Sequence, residues 1–155
     1  MRRPILLAAL AAALIPLTAG AHVTVWPKQS DLGAREKYVV RAPNEKMVAT
    51  MRIEAEFPPE VRVNQLEQAP GWTIEARRDG AGAIVGATWS GDLPPDQFAE
   101  FGLLATNPKV VPKMGMALIW KVTQVYADGS KVEWTGPPGS HTPAPQVELR
   151  PAAGR

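Results

Sequence analysis

The chain has 155 residues, 17 Lys and Arg against 15 Asp and Glu, 16 Pro, 13 Gly and no Cys. Without Cys there is no disulfide, thiolate metal site, blue-copper centre with a Cys ligand or Cys nucleophile. The Pro and Gly content argues against a helical bundle, and the balanced charge, with no long basic run, argues against nucleic acid as a partner.

The first segment carries Arg2 and Arg3, then an apolar run from Ile5 to Leu17 broken only by Pro16, and ends in Ala19-Gly20-Ala21. A positive front, a short apolar stretch and an Ala-x-Ala cleavage site predict a signal peptide over residues 1–21. The run is too short for a membrane span of ~20 residues, and nothing downstream resembles one, so the processed protein is expected not to span the membrane. Cleavage after Ala21 leaves 134 residues, enough for one domain with a core, carrying 15 basic and 15 acidic side chains. The expected location is the periplasm or the extracellular space.

Residues 23–26, Val-Thr-Val-Trp, alternate as a strand up to Pro27. An apolar run from Lys37 to Arg41 ends at Ala42-Pro43-Asn44-Glu45. Thr50 to Phe57 predicts a half-buried antiparallel strand, with Met51, Ile53, Ala55 and Phe57 on one face and Arg52, Glu54 and Glu56 on the other. Pro58-Pro59 stops it. Val61 to Leu66, Trp72 to Arg77 and Ile84 to Ser90 follow as strands, the last two joined by the hairpin signal Asp79-Gly80-Ala81-Gly82. Phe98 to Ala105 is the next, Met114 to Tyr126 the longest, and Val132 to Trp134 returns after Ala127-Asp128-Gly129-Ser130. From Gly136 the Pro-rich chain is expected to be extended, and residues 151–155 to be a disordered tail. About eight short strands between Pro/Gly turns, without helical periodicity or an internal repeat, predict an all-β, two-sheet antiparallel sandwich over residues 22–150.

Few residues can carry catalysis. The one His besides His22 is His141, in the Pro-flanked Gly139-Ser140-His141-Thr142-Pro143, with no nucleophile elbow nearby. No phosphate-binding Gly loop, HExxH helix or EF-hand loop occurs. Glu54 and Glu56, two apart, have the spacing of a solvated strand face.

A metal site is better supported. Cleavage after Ala21 makes His22 the first residue and frees a backbone amine, which titrates at roughly 7.7–8.0 and is readily deprotonated by a metal. Amine and Nδ1 of one residue can close a chelate ring, and such nitrogen donors suit Cu(II) above the other divalent first-row ions. Further ligands must be His141 or a carboxylate. Glu45 sits at a strand end. Glu100 lies among apolar neighbours in Ala99-Glu100-Phe101-Gly102, where it is either paired or ligated if it points inward, or simply solvated if it points out. Trp72, Trp89 and Trp120 read as packing residues. Trp134, at a strand end before the Pro-rich tail, is either an edge core residue or a shield beside a metal.

Seven segments, in this order and spacing, resemble the YcnI-like domain family, also catalogued as a domain of unknown function. They are residues 21–25 (Ala-His-Val-Thr-Val), 40–45 (Val-Arg-Ala-Pro-Asn-Glu), 70–73 (Pro-Gly-Trp-Thr), 88–91 (Thr-Trp-Ser-Gly), 97–102 (Gln-Phe-Ala-Glu-Phe-Gly), 124–129 (Gln-Val-Tyr-Ala-Asp-Gly) and 134–140 (Trp-Thr-Gly-Pro-Pro-Gly-Ser). The resemblance implies a cupredoxin-like or immunoglobulin-like β-sandwich of the bacterial envelope that binds Cu(II) through an N-terminal His, a single-histidine brace, with a nearby Trp. His22 matches the brace residue and Trp134 the Trp of the Trp-Thr-Gly motif. Glu45, of the Pro-Asn-Glu motif, is preferred over Glu100 as the carboxylate. The family commonly has an acidic residue where this chain has His141, which leaves a third nitrogen ligand open. The function implied is copper storage, delivery or resistance, with a copper chaperone or a membrane copper transporter as partner. The alternatives are an oxidative copper enzyme like the polysaccharide monooxygenases, needing His141 as second His, and an envelope interaction module without metal.

Overall fold

The computed structural model describes residues 21–111, 113 and 115–152, which places the predicted leader ahead of Ala21 and residues 153–155 of the predicted tail outside the described residues. The described chain is all-β. Its strands are β1 (Thr24–Trp26), β2 (Gln29–Asp31), β3 (Arg35–Pro43), β4 (Thr50–Glu56), β5 (Arg62–Leu66), β6 (Thr73–Arg78), β7 (Ile84–Leu93), β8 (Phe98–Thr106), β9 (Ala117–Ile119), β10 (Lys121–Tyr126), β11 (Lys131–Trp134) and β12 (Gln146–Arg150). No helix among the described residues is long and apolar enough to cross a membrane.

Nine strands form one hydrogen-bonded path, β1-β3-β8-β5-β7-β4-β10-β11, with β6 on β7. Between β5 and β7 the path rests on one residue pair, Val63 with Ile84. There the sheet folds over, so that β1-β3-β8-β5 faces β6-β7-β4-β10-β11 across a shared core. Trp89 of β7 packs on Phe101 of β8 with ring centroids 4.9 Å apart, and Phe57 lies between Trp89 and Trp120 at 6.5 and 5.7 Å. Trp89, Trp120, Tyr38 and Phe101 are fully buried. Rings of this size each remove roughly 150–250 Å² from water, so hydrophobic burial alone can hold a domain without disulfides. The expected antiparallel sandwich and the packing roles of Trp89 and Trp120 are what the chain adopts. Trp72 packs edge-on against Phe101 at 4.9 Å, half-buried at the rim.

The structure corrects three local expectations. In β4 the pairing with β7 shifts between Thr50 and Arg52, and the bulge turns Thr50 into the core and Met51 outward, 41% exposed. Met51 therefore leaves the face shared by Ile53, Ala55 and Phe57. The run from Met114 to Tyr126 is not one strand. Trp120, whose amide donates to the Pro145 carbonyl at 2.9 Å, divides it into β9 and β10, which belong to different sheets. The Pro-rich stretch after Gly136 ends in β12, which pairs parallel with β2 and antiparallel with β9 in a small second sheet. Val147 and Leu149 of β12 point into the core.

Candidate metal centre

Strand β1 fixes the position of His22. Val23 and Val25 are buried, so His22, Thr24 and Trp26 alternate outward, and pairing of Thr24 with Arg41 sets this end of the chain beside the end of β3. The exposed His22 ring lies 5.4 Å from the ring of Trp134, tilted by 56°. Trp134 closes β11 and is 8% exposed. His22 comes from one half of the sandwich and Trp134 from the other.

Glu45 lies two residues past the end of β3, on a turn that Asn44 holds in shape. The buried Asn44 side chain donates to the carbonyls of Val48 and Leu93, both at 2.9 Å, and accepts from the Lys46 amide at 3.1 Å. Its backbone is tied to the loop before β8: Asn44 N–H to Gln97 O at 2.8 Å and Asp96 N–H to Asn44 O at 3.0 Å. Asp96 takes a positive φ of 60°, which Asp tolerates better than most residues, to present that amide. Thus anchored, Glu45 Oε1 accepts a hydrogen bond of 2.7 Å from the Ala21 amide, one residue before His22. Ala21, Glu45, Asp96, Gln97 and Phe98 border an open hollow of about 380 Å³.

The surroundings of Glu45 leave its charge available. Lys46, its neighbour, turns away: its ammonium lies 4.1 Å from the Tyr126 ring centroid and 3.0 Å from Ser130 Oγ. Tyr126 is held above the usual phenol range, chiefly by burial, with the charges of Glu45 and Asp128 adding to it. Among the described residues Glu45 takes part in no ion pair.

The other sequence candidates lie differently. Glu100 stands opposite Arg41 in the β3–β8 register, and its Oε1 receives Arg41 Nε at 2.8 Å and Nη2 at 2.7 Å. It points outward and is paired. His141 is exposed on the turn between Gly136 and Pro143, which closes through Gly136 N–H to Thr142 O at 2.9 Å and Ser140 N–H to Pro137 O at 3.1 Å. It takes part in neither the His22–Trp134 ring contact nor the Ala21–Glu45 hydrogen bond. Among the described residues no three His, Asp, Glu or Cys side chains gather closely enough to hold a metal by themselves. The Ala21–Glu45 contact brings the Glu45 carboxylate to the backbone one residue ahead of His22. Sequence reasoning missed Asn44 and Gln124 as parts of this region. The signal for Gln124 was a lone amide inside the apolar run of β10.

The protein-family comparison matches residues 22–149 to a family described as "Domain of unknown function (DUF1775)", the match beginning at His22. The Bacillus subtilis (strain 168) protein named "Copper-binding protein CutI" is 34% identical over 128 residues, which cover 81% of this chain and 60% of that protein. The chain thus spans well under two thirds of this relative's length. Among solved structures, an uncharacterized protein from Nocardia farcinica with an immunoglobulin-like fold superposes with a TM-score of 0.69 at 28% identity, over 83% of this chain and 97% of that one. A cohesin from Acetivibrio cellulolyticus shares the fold at a TM-score of 0.53 and 9% identity, over 83% and 98% of the two chains.

Proposed function

We propose that this chain, which belongs to the DUF1775 family, is an exported protein that binds Cu(II) for storage, delivery or resistance. In this reading a leader ending at Ala21 is removed in the periplasm or outside the cell. His22 then supplies its amine and imidazole, Glu45 a carboxylate, and Trp134 a ring that limits water on one side. Copper is the cargo of this site. The observation that carries the reading is the 2.7 Å contact between the Ala21 amide and Glu45. Glu45, in no ion pair among the described residues, thereby sits one peptide unit ahead of the Ala21–His22 bond, whose hydrolysis would create the amine. The relative named as copper-binding points the same way. Glu100, engaged by Arg41, falls outside this donor set, and His141 is the one residue that could serve as a further nitrogen ligand.

Because imidazole and amine both lose their protons on binding, affinity for Cu(II) falls as the medium is acidified. The test is competition against a chromogenic chelator, using the processed protein and its His22→Ala variant. Tight binding by the first and not the second is expected, and tight binding retained by the variant overturns the proposal. A copper chaperone or membrane copper transporter is the partner that delivery requires. The enzyme reading, oxidative attack on a polysaccharide, needs His141 as a second His at the ion held by His22.

A further inference from the structure

We infer that Gln124 is the positioning residue of this site, setting the distance between the donors at His22 and Glu45 and the Trp134 ring. The inference rests on the copper reading above. The donors and the ring belong to opposite halves of the sandwich: His22 leads into β1 and Glu45 leaves β3, whereas Trp134 ends β11. No backbone ladder joins the end of β3 to β10 or β11. A side chain that spans the two halves can fix that separation, and Gln124 spans them.

Gln124 is fully buried in the middle of β10, opposite Ile53 of β4 and Val132 of β11. Its Nε2 donates to the Pro43 carbonyl at 2.9 Å, two residues before Glu45, and to Thr50 Oγ1 at 2.8 Å. Its Oε1 accepts from Trp134 Nε1 at 3.4 Å, a long bond. One amide thus holds the stem of the Glu45 turn with its donors and the indole with its acceptor. The bulge in β4 is what turns the Thr50 hydroxyl inward to complete the set. An Asn is one methylene too short to bridge the same groups. Met keeps the length and loses every bond, and Glu keeps the acceptor and loses both donors.

A group that merely fills the core would affect stability alone. A positioning group also alters how the metal is held, as outer-shell partners of metal ligands do at about 10–100-fold in affinity. The experiment compares processed wild type with Gln124→Met and Gln124→Glu. Three quantities are read: Cu(II) affinity by chelator competition, the electron paramagnetic resonance spectrum of the bound ion, and the copper-induced quenching of Trp134. The Trp134 share of quenching is the part that Trp134→Phe removes. The expected result for Q124M is an affinity lowered about tenfold, a changed spectrum and weaker Trp134 quenching. For Q124E, with its indole acceptor retained, the affinity falls while more of the quenching persists. If wild type binds Cu(II) and either folded variant matches it in affinity and spectrum, the positioning role is overturned. Failure of both variants to fold marks Gln124 as purely structural and overturns it too. Absence of Cu(II) binding by wild type instead removes the copper reading itself.

Discussion

Replacing Glu45 with Gln removes a charge and nearly preserves shape, so it isolates what the carboxylate does. Glu45 is exposed, unpaired, and reaches the backbone one residue ahead of His22 at 2.7 Å. We take a separation of ~4 Å between that carboxylate and a cupric ion held by His22. Two unit charges at ~4 Å attract by about 1 kcal/mol in water and about 4 kcal/mol at a partly buried protein surface, and the dication doubles either value. An exposed carboxylate belongs nearer the first limit, so Glu45→Gln should weaken Cu(II) binding by about 2 kcal/mol, roughly 30-fold. Chelator competition on the processed protein at neutral pH reads this directly. Repeating it at high salt separates two mechanisms: the Debye length shrinks from ~10 Å at 0.1 M to ~3 Å at 1 M, which diminishes a through-solvent attraction and leaves direct ligation almost intact. An E45Q protein that binds within twofold of wild type at low salt would refute the reasoning.

Glu100→Gln should leave Cu(II) affinity within about twofold, because its carboxylate is engaged by Arg41. It should cost under ~1 kcal/mol of stability, as exposed ion pairs do; a copper affinity that falls as far as for E45Q would reinstate Glu100 as a ligand. Trp89→Ala, at a fully buried ring packed on Phe101 and Phe57, should cost about 3–5 kcal/mol by urea unfolding, and a loss under ~1 kcal/mol would contradict the core described above. Burial holds the phenols of Tyr38 and Tyr126 above the usual range, so the folded state keeps their protons longer than the unfolded chain. Stability from this source is complete below pH ~10 and declines as pH rises from there through the folded values. Unfolding followed from pH 8 to 11 should show the decline, and Tyr126→Phe should reduce it.

The sandwich was legible because its strands write alternation plainly: Val23 and Val25 inward around Thr24, or Ile53, Ala55 and Phe57 inward against Arg52, Glu54 and Glu56. Legibility failed where tertiary contact overrides local pattern. Met51 is apolar and in phase, yet a bulge set by pairing with β7 sends it outward. The run through Trp120 looks continuous, yet its two ends serve different sheets. Strands β2 and β12 are three and five residues long, and β12 lies in a Pro-rich segment, so neither announces itself without the partner it pairs with. At the site, chemistry made His22, Glu45 and Trp134 visible as candidates. Choosing between Glu45 and Glu100 required the Arg41 pairing, which depends on register across two strands. Gln124 and Asn44 stayed hidden because their roles consist of bonds to backbone carbonyls, and a sequence does not show which carbonyls a fold brings near.

The amine at His22 is tested most directly by two proteins that both start at His22, one with a free N-terminus and the other Nα-acetylated. Both keep the imidazole, Glu45 and Trp134, and only the first offers a free amine to close the chelate with Nδ1. Side-by-side competition for Cu(II) should show the acetylated protein weaker by roughly 100-fold or more, beyond the range typical of outer-shell changes. Equal affinities would contradict the account.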